Sequence, residues 1–289
     1  METRPQFGNR LLTEEKDVFN HNAWDHVEWD EKQEKDALEI ISKNSDKPPE
    51  SICSDLLNNS SQKWEKFYNI HSNKFFKDRH WLFTEFPELK EMKPSGTKIF
   101  EIGCGVGNTI FPIIEHSETD NIFIYGCDFS STAIDIVKSN SLYNDSKCNA
   151  FVCDISEKCL DIPIEEESID IITMVFVLSA LNPDDMNHCI RNLTRYLKPG
   201  GYILLRDYGR FDLAQLRFKN GRCLSENFYA RGDGTKVYFF TQDELHQIFV
   251  GSGLEKVQNI IDRRLQVNRA RKLKMYRIWI QCKYKKAIK

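Results

Sequence analysis

The sequence predicts an α/β protein built on a doubly wound, mostly parallel sheet. Three observations predict it. Apolar strands alternate with helical stretches from Lys98 onward, the strands are near-continuous apolar runs, and a glycine-rich turn, "FEIGCGVGN", leads from the first strand into a helix. Strands covered on both faces by crossover helices lose the polar alternation of half-exposed strands. Right-handed crossovers then make their neighbours parallel.

Residues 1–60 read as a polar extension. It contains "NAWDHVEWD" with Trp24 and Trp29, a helical charge pattern, and "KNSDKPPESICSDLLNNSS", whose Ser, Asn and Pro mark a linker. The two indoles have two readings, a docking element or packing on the main domain. Residues 61–96 read as helical. In "SQKWEKFYNIH", Trp64, Phe67 and Tyr68 stand at i, i+3 and i+4 on one helix face, and a second helix is expected from Phe75 to Phe86.

The main domain, 97–289, alternates. Strand "KIFEIG" leads into a helix from about Asn108, strand "IFIYGCD" into helix "SSTAIDIVKSN", and then comes strand "CNAFVCD". Strand "SIDIITMVFVL", helix "PDDMNHCIRNLTRYL" and strand "GYILLRD" complete the run. An aromatic, arginine-rich insertion at about 208–240 follows, its Gly-Asp-Gly marking a hairpin turn. "TQDELHQIFVGSG" reads as a helix with a capping box, Thr241 at the N-cap and Glu244 at N3. Strands near Glu255–Val267 and Lys274–Lys283 are expected to close the sheet as an antiparallel pair.

The chain has 289 residues, 40% hydrophobic and 12% aromatic, which suits a globular protein with a sizeable core. No apolar run approaches the roughly eighteen residues of a membrane span. The start, "METRPQFGNRLL", lacks the apolar core of a secretory signal and the Arg/Ser-rich pattern of a transit peptide. The nine cysteines include no C-x-x-C pair, so neither a metal site nor a disulfide framework is expected. They read as free thiols of a reducing compartment, hence a cytoplasmic protein, with a nuclear or mitochondrial pool left open. Net charge is −3, yet Arg263 to Lys289 holds eleven Lys or Arg and no Asp or Glu. That basic end can make a local phosphate footprint or a solvated surface.

In the glycine turn, Gly103, Gly105 and Gly107 let the backbone approach a ligand where a Cβ would clash. This G-x-G-x-G, preceded by Glu101, resembles motif I of class I S-adenosylmethionine-dependent methyltransferases, whose fold is Rossmann-like with a seven-stranded sheet. A nicotinamide-type turn has its third glycine one residue later, with a helix N-terminus facing a pyrophosphate. Asp128 ends the second strand, where a carboxylate can accept both ribose hydroxyls. The methyltransferase resemblance implies that Asp154 and Ile155 read and pack the adenine, and that Val175 lines the floor.

"NKFFKDRHW", "EIGCGVGN", "CDFS", "FVLSALNPD", "LKPGG", "RDYG" and "ENFYARGDGT", with Trp64 and Tyr68, together resemble one family, the tRNA N3-cytidine methyltransferases. "NAWDHVEWD" is similar to the methyltransferase-like 2 and yeast branch. The resemblance implies S-adenosylmethionine as cofactor and cytosine N3 at position 32 of the anticodon loop as target, in threonine and some arginine tRNAs. It implies cofactor contacts at Trp64, Tyr68, Gly103, Gly105, Asp128, Asp154, Ile155 and Val175. It also implies tRNA as partner, with a helper such as an aminoacyl-tRNA synthetase or an anticodon-recognising protein.

Cytosine N3 carries a free lone pair at neutral pH, so transfer needs positioning more than a strong base. A base hidden by pairing or stacking must be flipped out. Phe75 and Phe76 can wall a base pocket, while Lys77, Arg79 and His80 can hold flanking phosphates. Asp207, in "RDYG" with Arg206 and Tyr208, is a candidate to stabilise charge on the methylated base. The competing reading makes Arg206 its ion-pair partner. Arg217, Arg231, Arg271 and Lys272 are expected along the tRNA backbone. The alternatives are a dehydrogenase, a methyltransferase for another RNA, protein or small molecules, and a non-catalytic tRNA-binding scaffold.

Overall fold

The computed structural model describes residues 5–90, 93, 95–117 and 121–288; the stretch read for a leader begins at residues 1–4, outside the described residues. In chain order the elements before the main domain are Ala23–Asp25 (β1), Glu31–Lys43 (α1), Glu50–Asn58 (α2), Ser60–His71 (α3) and Leu82–Glu85 (α4). The alternating core is Thr97–Ile102 (β2), Ile110–His116 (α5), Ile122–Asp128 (β3), Ser131–Lys138 (α6), Cys148–Val152 (β4), Ile169–Val175 (β5), Pro183–Tyr196 (α7) and Leu197–Tyr208 (β6). The insertion carries Leu213–Leu216 (α8), Cys223–Ser225 (β7), Phe228–Ala230 (β8) and Lys236–Tyr238 (β9). Gln242–Gly251 (α9), Leu254–Asn268 (β10) and Leu273–Lys286 (β11) follow.

The main sheet runs β1-β10-β11-β6-β5-β2-β3-β4. The five strands from β6 to β4 are parallel, and β11, β10 and β1 add antiparallel. The chain leaves β2 for β3 and β4, then returns to β5 on the other side of β2. That reversal opens a crevice at the carboxyl ends of β2 and β5, where such sheets bind ligands. Successive side chains feed two cores. Phe100, Ile172 and Leu205 pack under α7 and α9, while Ile99, Ile171 and Leu204 pack under α4, α5 and α6. The capping box of α9 forms as expected between Thr241 and Glu244.

Three stretches differ from their sequence expectation. Beyond the seven expected strands, β1 makes an eighth, because Trp24 buries its ring with Val18, Leu265 and Val267 while its Nε1–H donates to the Val18 carbonyl at 2.8 Å. Trp29 stacks on Phe211 at 6.0 Å. Both indoles are therefore packed on the domain. The linker reading of 43–61 gives way at α2, where Cys53 and Leu56 meet Leu224, Phe228 and Ala230 of the insertion. The expected helix from Phe75 to Phe86 shrinks to α4. Ser72, at φ +49°, ends α3, and the Arg79 N–H donates to the Asn108 carbonyl at 2.9 Å, pinning the stretch to the glycine turn.

Trp24→Ala should lower the unfolding free energy by about 3–5 kcal/mol, the usual cost of emptying a buried aromatic site. Urea denaturation measures it. A loss below about 1 kcal/mol would place β1 outside the cooperative unit.

Candidate active site

The glycine turn is held from two sides. Gly103 has φ +59° and Gly105 φ +53°; a Cβ would lie 2.6 Å from Val177 Cγ2 at the first and 2.7 Å from the Tyr68 hydroxyl at the second. Each glycine thus fits a left-handed backbone and a close neighbour. The Gly105 N–H donates to Asp128 Oδ2 and the Ser130 N–H to Asp128 Oδ1, both at 3.0 Å. Burial pushes the Asp128 carboxyl up to about 6, against those hydrogen bonds. Behind the turn, Glu101 is 1% exposed, with the Arg79 guanidinium 3.5 Å away as counter-ion. Burial raises its pKa to about 7, and Arg79 opposes the rise.

Helix α3 closes over this turn. The Ser130 hydroxyl donates to Glu65 at 2.6 Å, and the Thr132 N–H and hydroxyl donate to the same carboxylate, at the N-terminus of α6. Burial pushes the Glu65 carboxyl up, but the bonds from Ser130, Thr132 and Ser131 outweigh it and hold the pKa below the usual value. Glu65 was not singled out by sequence reasoning; its place beside Trp64 was the available signal.

Three chambers form one cleft. The first is lined by Trp64, Gly103, Asp128, Asp154, Ile155 and Lys236, among others. The second is walled by Trp64, Tyr68, Gly103, Gly105, Asp128 and Val175. All eight residues expected at a cofactor therefore face these two chambers. Two bonds from Ser156 fall on Asp154 Oδ1, which leaves Oδ2 for a ligand. The glycines a Cβ would block, the carboxylates at two strand ends and the Trp64 wall fit S-adenosylmethionine. Among the described residues no group of three metal-ligating side chains occurs.

The third chamber, of about 410 Å³, meets the second along Trp64, Phe76, Arg79, Phe176 and Ala180. Such a volume lies in the range of small-ligand sites, about 300–1,000 Å³. Phe75, Phe76, Lys77, Arg79, Tyr208 and Arg231 line it, as expected. His80, Arg217, Arg271 and Lys272 are exposed and line none of the three chambers. Lys272 instead lies 4.5 Å over the Phe19 ring.

Arg206 and Asp207 do not line the chambers either, and they are not each other's partner. They point to opposite faces of β6. Arg206 donates to Asp262 at 2.5 Å and to Gln281 at 2.8 Å, with its guanidinium 5.3 Å from Trp81 and 4.8 Å from Trp279. Asp207 accepts from the Ser179 N–H at 2.9 Å and the Tyr208 N–H at 2.8 Å. Burial raises its pKa to about 6. Of the three, Tyr208 alone faces the third chamber.

Sequence reasoning missed Trp81, Phe176, Arg277 and Trp279, which also line that chamber. Phe176 has φ +60°, a strained conformation for an aromatic residue, and its ring lies 5.0 Å from Tyr208. Its position in "FVLSALNPD" was the only signal. Arg277 and Trp279 come from β11, whose register no local pattern announces.

A methyltransferase domain family matches residues 100–203. A Danio rerio protein, "tRNA N(3)-cytidine methyltransferase METTL2", is 52% identical over 99% of this chain and 90% of its own length. A Schizosaccharomyces pombe protein, "tRNA N(3)-methylcytidine methyltransferase trm140", is 49% identical over 97% of this chain and 92% of its own. A solved S-adenosylmethionine-dependent methyltransferase from Methanosarcina mazei superposes with a TM-score of 0.52 at 18% identity, covering 71% of this chain and 99% of that one. That likeness is one of fold.

Gly105→Ala should destabilise the protein by about 1–2 kcal/mol through the left-handed backbone, plus a steric part from Tyr68. Adding Tyr68→Phe removes the hydroxyl and should recover only the steric part. Full recovery in denaturant titrations, or none, would contradict this division.

Proposed function

The chain belongs to the tRNA N3-cytidine methyltransferase family, and on that premise we propose that it forms 3-methylcytidine at position 32 of the anticodon loop, in threonine and some arginine tRNAs. The observation that carries this reading is the shared wall. A chamber suited to the cofactor opens, past Trp64, Phe76 and Phe176, into one lined by aromatic rings and cations. A small-molecule methyltransferase has no use for Lys77, Arg79, Arg231 and Arg277 around one mouth.

Trp64, Tyr68, Gly103, Gly105, Asp128, Asp154, Ile155 and Val175 would hold S-adenosylmethionine, with 61–96 serving as cofactor lid and RNA-facing segment. When bound, S-adenosylmethionine would supply an electrophilic methyl group, its S–C bond breaking with the electron pair kept by sulfur as the N3 lone pair forms the new N–C bond. No proton moves, and the positive charge ends on the base. The protein's work is to present N3 in line and dry. Phe75, Phe76 and Phe176 stack on the flipped cytosine, at about 1–3 kcal/mol per base, which offsets the cost of unstacking it. Lys77, Arg79, Arg231 and Arg277 take flanking phosphates, contacts that position rather than specify.

Arg206 and Asp207 act through others. Arg206 holds Trp81 and Trp279 in place, while Asp207 fixes Ser179 and Tyr208 on the chamber wall. Arg217, Arg271 and Lys272, exposed outside the three chambers, would track the tRNA body. A helper, an aminoacyl-tRNA synthetase or an anticodon-recognising protein, is proposed to direct isoacceptor choice. All nine cysteines are free, which supports a reducing, cytoplasmic setting. No helix among the described residues is long and apolar enough to cross a membrane.

Total tRNA incubated with the protein and S-adenosylmethionine should gain 3-methylcytidine by nucleoside mass spectrometry, and Asp128→Ala should reduce the gain to background. If cofactor binds and no tRNA is methylated even with a helper present, the reading fails. A second expectation concerns pH. The Asp128 carboxyl titrates near 6, so it accepts ribose hydroxyls as the anion above that pH and loses the capacity below it. Affinity for S-adenosylhomocysteine should fall as pH drops through about 6, and Asp128→Asn should flatten that step in calorimetric titrations.

A further inference from the structure

The insertion reaches both ends of the cleft. Its β8–β9 hairpin carries Arg231 into the third chamber and Lys236 into the first. Lys236 is only 3% exposed, so its ammonium group is a buried cation on the wall of a ligand chamber. Two of its three N–H groups are accounted for. One donates to the Asn182 side-chain oxygen, and one reaches the Leu57 carbonyl at 3.5 Å. Both acceptors themselves line the first chamber, as do Asp154 and Asp185. Among the described residues no third hydrogen-bond acceptor meets the ammonium group, whose remaining neighbour is the Phe228 ring, 5.7 Å away. A buried ammonium is strongly desolvated, and a further acceptor from a ligand would be worth more here than at the surface.

We infer that Lys236 is a cofactor-binding residue supplied by the insertion, its free N–H donating to the adenosyl part of the cofactor beside Asp154. The inference rests on the methyltransferase reading. It gives the insertion contact with both ligands, because the two cations are tied together. Arg231 Nη1 donates to the Lys236 carbonyl at 3.0 Å, and the Arg231 N–H donates to the Thr235 carbonyl at 2.7 Å. Desolvation lowers the Lys236 pKa to about 8, with Asp185 and Asp154 opposing it, so the group is still mostly charged at neutral pH. Sequence reasoning passed over Lys236 because it sits inside an apolar strand run, "KVYFF".

Isothermal titration with S-adenosylhomocysteine tests the role. Lys236→Met, which keeps the length and removes the charge, should weaken binding about tenfold or more, the range for a hydrogen bond to a charged group. Lys236→Arg should restore most of it. Wild-type affinity in Lys236→Met would overturn the assignment, as would equal losses in Lys236→Met and Lys236→Arg. Absence of binding to the wild type would instead remove the methyltransferase reading beneath it. Should Lys236→Met fail to fold, hydrogen exchange on the wild type decides. S-adenosylhomocysteine should slow exchange over 228–238, and unchanged exchange there would overturn the contact.

Discussion

One carboxylate organises the cleft. Asp128 takes the Gly105 N–H on one oxygen and the Ser130 N–H on the other, so the glycine turn and the start of α6 cannot move independently. Ser130 passes the constraint on, since its hydroxyl donates to Glu65 of α3 while its oxygen caps Ala133. Helix α3, the glycine turn and the carboxylate at the end of β3 thus share one hydrogen-bond chain. Such a chain is cooperative in a low-dielectric site, and it raises the cost of leaving any member unpaired. The glycines follow from the same crowding. With the Tyr68 hydroxyl against Gly105, no side chain can stand between α3 and the turn.

A second set of buried charges stands behind the wall of the third chamber. Arg206 and Arg264 share Asp262, and Arg264 also reaches Glu85 at 3.1 Å and Asp25 at 3.7 Å. The network ties β6, β10 and β11 to α4 and β1. Burying ions is expensive, and such a network stabilises only when every member is paired. Its return is geometric. The Arg206 guanidinium lies against Trp81 and Trp279, and Arg277 lies 4.9 Å from the other indole contact at Trp279. Trp81 and Trp279 of the third chamber's wall are thereby held by Arg206, which does not itself line it. A side chain in a sequence motif can serve the site from behind.

The insertion is what this chain adds to a common fold around the cleft. The alternating core makes the crevice, and that much is shared with distant methyltransferase structures. The three-stranded β7–β8–β9 sheet, packed on α2 through Leu56, Leu224 and Phe228, adds walls to both ends of it. One hairpin thereby lines two chambers, through Lys236 in the first and Arg231 in the third.

The sequence by itself determined the parallel sheet, most residues around the glycine turn that line the first two chambers, and the basic and aromatic character of the third. Each depends on near-neighbour patterns: apolar runs, glycine spacing, an aspartate at a strand end, cations beside aromatic rings. Those signals lie within one strand–turn–helix unit, so local chemistry suffices to read them. The tertiary structure alone decided which way Arg206 and Asp207 face, because adjacent residues on a strand point to opposite sides and only β10 and β11 supply the partners. It also turned the Ser- and Asn-rich linker into α2 and the basic-aromatic stretch into a chamber wall rather than a helix. In each case contacts with residues distant along the chain outweighed local preference. Phe176, Lys236, Arg277 and Trp279 were hidden for the same reason: their function depends on what the fold places opposite them.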